Sequence, residues 1–332
     1  MPHITLPSGK SFDANVGESL VDAGLRAGVL LPHSCRSGRC STCRCRVAAG
    51  ATDALHAELG LTADELAAGW ILGCVRTAIS DVALDVEDYG DVVLPTARTL
   101  PCRIHTLERL SEDVMHIVLR LPPTAAFTYL PGQYVDIIGP VGMRRSYSIA
   151  NAPRPDQHLE FHVRRLDGGA MSEHWFERAR VNDLLRLNGP LGTFFMRETA
   201  DLDLVFLATG TGIAPVKAML EALAVRAESD RPRSLTVYWG GRKPADLYWR
   251  PGTDAPAGLR FLPALSRDEP QWEGLRGHVQ ECLMADKPDL ARTIVYACGS
   301  DTMIHAAHSR LVAAGLPERR FNSDAFVRSG AY

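Results

Sequence analysis

Four cysteines fall within eleven positions of LLPHSCRSGRCSTCRCRV, Leu30–Val47: Cys35, Cys40, Cys43 and Cys45. A fifth, Cys74, follows in WILGCVRTAI. Thiols this crowded form a disulfide framework in an oxidising compartment and a metal site in a reducing one. The first residues, MPHITLPSGKSF, lack a charged start followed by an apolar run, so they do not read as a signal peptide. No stretch approaches the ~20 apolar residues that span a bilayer. The expectation is a cytoplasmic protein that binds no membrane, with its clustered thiols as metal ligands.

The spacing narrows the metal. Cys35-x4-Cys40-x2-Cys43, with Cys74 after thirty intervening residues, follows the plant-type [2Fe–2S] pattern. Structural zinc sites more often present two short Cys-x2-Cys pairs, and zinc is the alternative reading here. No Cys-x-His pair is present, which excludes a Rieske centre. Gly38, Ser41 and Thr42 let backbone N–H groups approach bridging sulfides, and Gly38 tolerates a positive φ. Cys45, alternating with Cys43 along a strand, points away from the cluster and reads as a packed residue, as do Cys102 and Cys282. His33, beside the loop, is expected at the surface rather than as a ligand. With an early helix around Glu18–Ala27, residues 1 to about 90 resemble a plant-type ferredoxin domain of the β-grasp kind.

EDYGDVVLPTARTLPCRI, residues 87–104, mixes acid, Gly and Pro, and reads as a linker of about ten residues. Beyond it, alternating strands at 115–121, 133–138, 146–150 and 159–165 are separated by Pro- and Gly-rich turns, the pattern of an antiparallel barrel or sandwich. Three stretches suit a flavin. Arg144-Arg145-Ser146-Tyr147-Ser148 offers a guanidinium for a pyrophosphate, a phenol ring to stack and a hydroxyl for the ring edge. Gly168-Gly169-Ala170-Met171-Ser172 opens a helix running to about Arg178, an anion site. Pro131-Gly132-Gln133-Tyr134 turns into a strand. In this order the three resemble the FAD-binding barrel of the ferredoxin–NADP reductase superfamily. That resemblance adds Ile149, His162, Val163 and Arg164 to the expected FAD contacts.

The last section opens with DLDLVFLATGTGIAPVKAMLEAL, an apolar strand, a glycine turn and a helix. Val216, Met219, Leu220 and Leu223 repeat at helical spacing. Thr209, Gly210, Thr211 and Gly212 shape the turn, and Pro215 sits in the first helical turn, where its missing N–H costs little. Strands at 235–242, 258–265 and 293–300, with helices near Val279–Met284 and Thr302–Ala314, make a doubly wound parallel sheet whose ligands bind at strand carboxyl ends. Thr209–Pro215, Gly240-Gly241-Arg242 and Cys298-Gly299-Ser300 all lie there. Cys298 reads either as a small buried residue or, by resemblance to the family's CGS turn, as the cysteine beside the nicotinamide C4. In FNSDAFVRSG, Phe326 reads either as an anchor or as an aromatic covering the flavin ring until nicotinamide displaces it.

The whole chain resembles the single-chain reductase components of bacterial multicomponent oxygenases, such as those for benzoate, terephthalate, phenol and methane, and the reductase for CDP-6-deoxy-glucoseen. The expected fold is multidomain α+β and α/β. It comprises a β-grasp ferredoxin domain at 1–90, a linker at 91–100, an antiparallel FAD-binding β-barrel at 101–198 and a doubly wound parallel NAD(P)-binding sheet at 199–332. The resemblance implies that Ser148, Cys298 and Phe326 surround the reacting atoms, and that Cys35, Cys40, Cys43 and Cys74 hold the cluster. Electrons then run from NAD(P)H, with NADH favoured, through FAD and the cluster, one at a time, to a partner. Arg242 either meets a 2′-phosphate, stacks on adenine or faces solvent. The partner is a terminal oxygenase of the Rieske or di-iron kind, or another redox protein such as a sugar dehydrase, docking around Arg36, Ser37 and Arg39. A net charge of −3 excludes a basic nucleic-acid surface. The eleven histidines include no HExxH pair. The expected state is a monomer.

Overall fold

The computed structural model describes residues 1–267 and 269–327, which divide into two units: Met1–Val93 with the segment from Asp324, and Leu94–Ser323. In the first unit, β1 (His3–Thr5), β2 (Ser11–Asp13), β3 (Arg44–Ala49), β5 (Trp70–Leu72) and β7 (Val82–Asp85) form one sheet in the order β2-β1-β7-β3-β5. β1 and β7 run parallel and the other neighbours antiparallel. β4 (Thr52–Ala54) and β6 (Arg76–Ala78) pair as a separate ribbon. The early helix is α1 (Leu20–Arg26). Its start is set by Ser19, whose hydroxyl accepts the Asp22 N–H at 3.1 Å, and Asp22 and Arg26 complement the dipole at its two ends. Leu20 and Ala23 of α1 bury against Ile4, Phe12, Val82 and Leu84. A second helix, α2 (Ala63–Ala67), is closed by a capping box between Thr62 and Glu65. This sheet and helix suspend the cysteine loop, residues 35–43, between α1 and β3.

The second unit begins with a six-stranded, nearly closed antiparallel sheet. Its strands are β8 (Arg98–Arg109), β9 (Val114–Arg120), β10 (Tyr134–Ile138), β11 (Arg144–Ser148), β12 (His158–Arg164) and β13 (Leu184–Leu191), in the order β11-β10-β13-β8-β9-β12. β8 starts inside the stretch expected to be linker. Pro101, which has no N–H to give, disguised it, yet the strand pairs Arg186 with Pro101 in register with β13. The helix expected to run to about Arg178 is instead one α-turn, α3 (Ala170–Glu173), followed by a π-turn over His174–Arg178. The π-turn closes with the Ala179 N–H on the His174 carbonyl at 2.7 Å, which lets His174, Trp175 and Phe176 all face inward.

The rest of this unit is the parallel sheet. β14 (Asp203–Thr209) leads into α4 (Ile213–Ala224). β15 (Ser234–Gly241), β16 (Leu259–Leu265), β17 (Leu275–Arg276), α5 (Val279–Ala285), β18 (Thr293–Gly299), α6 (Asp301–Ala313) and β19 (Phe321–Ala325) follow. The strand order is β17-β16-β15-β14-β18-β19, with β14 parallel to both β15 and β18. Val216, Met219, Leu220 and Leu223 of α4 are all buried against Phe206, Val237 and Tyr296, at ~1.5–3 kcal/mol per side chain. No helix among the described residues is long and apolar enough to cross a membrane.

Candidate functional site

In the cysteine loop, the four predicted thiols meet two by two. Cys35 with Cys40, and Cys43 with Cys74, act on each other's ionisation more than any other group does. Among the described residues no three His, Cys, Asp or Glu side chains close around one ion-sized point. A two-iron cluster takes two thiolates per iron, so two pairs fit it. Within each pair the partner thiol favours the ionised form of one sulfur, lowering the pKa of Cys35 and Cys74, while the same partner and burial raise Cys40 and Cys43. Backbone N–H groups already face the sulfurs: Ser37 N lies 3.4 Å from Cys35 Sγ, and Cys35 N 3.4 Å from Cys40 Sγ. Gly38 holds φ +70°, and a Cβ there would sit 2.6 Å from the Ala57 carbonyl oxygen, so the loop needs glycine. Cys45 lies in the hydrophobic core with Ile4 and Leu20, and burial raises its thiol to about 12. Cys102 and Cys282 are also buried.

His33 is not at the surface. It is 5% exposed, and its Nδ1 lies 2.9 Å from the Leu31 carbonyl. Its neighbours Leu30 and Leu31 are core residues, and the chain turns inward before the cluster loop. Burial lowers its pKa.

In the antiparallel sheet, β11 runs from exposed Arg144, Arg145 and Ser146 to half-buried Tyr147 and buried Ser148. Tyr147 packs on the core, and its hydroxyl accepts the Trp175 Nε1–H at 3.2 Å. Burial raises this phenol to about 12. Arg145 is exposed, and its guanidinium donates to the neighbouring Arg144 carbonyl at 2.7 Å. Ser146 donates to Asp136 at 2.5 Å. Ser148 is buried, and its hydroxyl makes no hydrogen bond among the described residues. Ile149 is fully buried beside it. Its N–H donates to the carbonyl of Gln133, whose side-chain amide spans Leu130 N and Gly192 O. Gly132 packs so closely that a Cβ would meet Phe194 O at 2.2 Å.

The remaining flavin candidates divide. Gly168, at φ +70°, leaves open backbone before Ala170 and the buried Met171, a Cβ on Gly169 would meet the Leu166 carbonyl oxygen at 3.1 Å, and the Ser172 hydroxyl already accepts the Leu166 N–H at 2.9 Å. His162 is buried with Nδ1 3.2 Å from the Tyr248 hydroxyl. Burial, and then the charges of His116 and Lys217, push its pKa down to about 3, so it is neutral. Val163 is core. Arg164 is engaged: it donates to Asp113 at 2.7 Å and to Asp246 at 3.2 Å, and its guanidinium lies 3.0 Å from where a Cβ of Gly210 would be.

At the carboxyl edge of the parallel sheet, the two predicted turns interlock. The Ser300 N–H donates to Thr209 Oγ1 at 3.1 Å. A Cβ on Gly212 would lie 2.2 Å from Cys298 O, and one on Gly299 2.3 Å from Thr209 Oγ1. Only glycine lets the backbones approach this closely, which leaves a cradle of main chain at the start of α4. Thr211, Pro215 and Cys298 are buried along it. Gly240 and Gly241 end the neighbouring strand, and a Cβ on Gly240 would meet Val279 Cγ1 at 3.0 Å. The Arg242 N–H donates to the buried Asp246 carboxylate at 2.7 Å, while its side chain is exposed. The sequence reading passed over Asp246, whose two oxygens cap this turn and hold Arg164. Its only local signal was its position four residues after Arg242. Phe326 lies one residue past β19, is 39% exposed and clusters with the first unit.

Fold and site together define an NAD(P)H-dependent oxidoreductase with a ferredoxin module. The descriptions "2Fe-2S iron-sulfur cluster binding domain", "Oxidoreductase FAD-binding domain" and "Oxidoreductase NAD-binding domain" match residues 4–78, 101–196 and 206–309. The chain belongs to the family of single-chain flavo-iron–sulfur reductases that join these three domains. A CDP-6-deoxy-L-threo-D-glycero-4-hexulose-3-dehydrase reductase of Yersinia pestis is 40% identical over 97% of each chain. The aromatic O-demethylase reductase subunit of Amycolatopsis is 32% identical over 96% of this chain and 97% of its own. The crystal structure of the Amycolatopsis cytochrome P450 reductase GcoB aligns with a TM-score of 0.72 at 29% identity, over 98% of this chain and 99% of that one. The protein carries electrons from NAD(P)H through FAD to a [2Fe–2S] cluster and serves a redox partner.

Proposed function

We propose that the cluster loop hands single electrons to a partner protein docking around Arg36, Ser37 and Arg39. The observation that carries this reading is the half-buried position of Cys35, with Arg36 exposed immediately beside it. Arg36 pairs with Asp22, so its charge is partly offset. Arg46 adds an exposed guanidinium 4.3 Å from the Trp70 ring, which Arg44 also covers at 4.1 Å. This basic, aromatic margin suits an acidic partner surface. The partner is a terminal oxygenase of the Rieske or di-iron kind. A second reading, a sugar dehydrase, is favoured by the 40% identity to the Yersinia dehydrase reductase, against 32% for the O-demethylase subunit. Reconstituting each candidate with the reduced protein decides between them. The rate with the true partner falls at least several-fold as salt rises from about 50 to 500 mM. A rate indifferent to salt rejects docking through these arginines.

Four thiolates at Cys35, Cys40, Cys43 and Cys74 hold the cluster. Arg145, Tyr147 and Ser148, with the Gly168-Gly169 turn, hold FAD, which converts a two-electron donor into a one-electron supply. The Thr209–Pro215 turn takes the dinucleotide phosphates, and Cys298 shapes the nicotinamide pocket. Phe326 covers the flavin ring between turnovers. The donor is NADH, and kcat/KM in a dye-reduction assay is larger for NADH than for NADPH. The reverse ratio assigns the exposed Arg242 and Lys243 to a 2′-phosphate. The protein acts in the cytoplasm as a monomer.

A further inference from the structure

Helix α4 does more than present its first turn to a dinucleotide. From its next turns, Lys217 and Glu221 reach the end of the flavin-binding strand. The Lys217 ammonium has three donors, and each has an acceptor: Ala150 O at 3.1 Å, Glu160 Oε2 at 2.8 Å and Glu221 Oε1 at 2.6 Å. Glu221 accepts the Ala152 N–H at 3.0 Å and both-oxygen contacts from Arg154 at 3.1 Å. Arg154 also donates to Glu160 at 2.5 Å. Two cations and two carboxylates thus form one cluster, with His116 Nε2 3.5 Å from Glu160 Oε2 at its edge. Lys217, Glu160 and Glu221 are 14, 13 and 22% exposed at the side chain.

Stability alone explains this cluster poorly. Well-packed apolar residues usually serve a partly buried site as well as an ion network does, or better. What an ion network adds is fixed geometry, because a saturated ammonium cannot rotate without breaking a bond. The anchored atoms are close to the chemistry at both ends. Lys217 is five residues past Gly212, about 7.5 Å along the helix. Ala150 is two residues past Ser148, about 7 Å along the strand.

We propose that Lys217 and Glu221, closed by Arg154 and Glu160, are positioning residues that hold the flavin strand at a set distance from the dinucleotide turn for hydride transfer. This rests on the reading that flavin lies at Ser148 and nicotinamide at the Thr209–Pro215 turn. A misplacement of about 1 Å in a transfer reaction costs on the order of a hundredfold in rate, whereas binding of either cofactor tolerates it.

The test is the reductive half-reaction of the full holoprotein, followed by flavin bleaching with NADH and with NADH deuterated at C4. Lys217→Met is expected to slow flavin reduction at least about tenfold. It should also raise the deuterium isotope effect, with flavin content and the NADH concentration for half-saturation changed less than about twofold. Lys217→Arg restores most of the rate. Should Lys217→Met lose its flavin, Glu221→Gln carries the same expectation, since it keeps the size, turns one of the two acceptor oxygens into a donor and removes the charge. Unchanged transfer, or slowing with an unchanged isotope effect, overturns the proposal. Ser148→Ala in the same assay separates the two levels. If it leaves flavin reduction untouched, the flavin placement itself fails. If it slows reduction while the Lys217 and Glu221 variants do not, only the clasp fails.

Discussion

Gly299 and Gly212 face each other's turns at distances no side chain accepts. Gly299 has φ +138° and would put a Cβ 2.3 Å from Thr209 Oγ1. Gly299→Ala is therefore expected to destabilise the protein by about 1–3 kcal/mol and to raise the KM for NADH, since the same contact shapes the cradle. Thermal melts and steady-state kinetics check both. Cys298 differs in kind. It is fully buried at the end of β18, and removing its sulfur leaves the backbone turn intact. Cys298→Ala is expected to lower the rate of flavin reduction by about tenfold with little change in NADH binding, the split expected of a group that shapes only the reacting geometry. Equal loss of binding and rate would instead mark it as packing.

At the scale of elements, β12 carries a titrating group, His162, that links stability to pH. His162 is neutral in the fold, with a pKa near 3 set first by burial and then by His116 and Lys217. An unfolded histidine titrates near ~6.5, so the unfolded chain binds the extra proton first. Stability is full above that value and falls as pH drops toward 3. At pH 5 the loss is about 2 kcal/mol. Denaturant melts of the native protein between pH 7 and 4.5 measure this slope, and His162→Gln flattens it. A slope unchanged by the substitution assigns the acid sensitivity to other groups. The elements themselves were legible to different degrees. Strands bounded by turn residues, such as β9 and β12, and helices with an apolar stripe, such as α4 and α6, stand within a residue or two of where pattern placed them. β8 and β13 escaped because Pro101 and Pro190 interrupt them, and the π-turn after α3 escaped because no local pattern distinguishes it from a helix.

For the whole molecule, the division of labour between flavin and cluster makes a separable prediction. Cys74→Ser removes one ligand from the Cys43–Cys74 pair. The variant is expected to lose the visible bands of the iron–sulfur centre and keep those of flavin. It should still reduce ferricyanide with NADH, while its rate with cytochrome c falls at least about tenfold, because the one-electron exit is gone. Retained cytochrome c reduction would mean that electrons leave directly from flavin.

Chain-local chemistry nominated the candidate ligands and determined the order of the modules. Thiol spacing, glycine-turn spacing and apolar periodicity are properties of neighbours along the chain, so Cys35, Cys40, Cys43 and Cys74 and the Thr209–Pro215 turn could be named from residues alone. Tertiary structure decided what those groups are held by. His33 lies inside because flanking leucines draw the chain inward. Asp246 and Arg164 are 82 residues apart, yet they brace one turn. On α4, Lys217 and Glu221 read as an ordinary solvent-facing pair one helical turn apart. Only the packing of that helix against Ala150–Ala152, more than sixty residues earlier, turns them into an ion cluster. Contacts between residues so distant leave no periodicity, because nothing about spacing along the chain sets which surfaces meet.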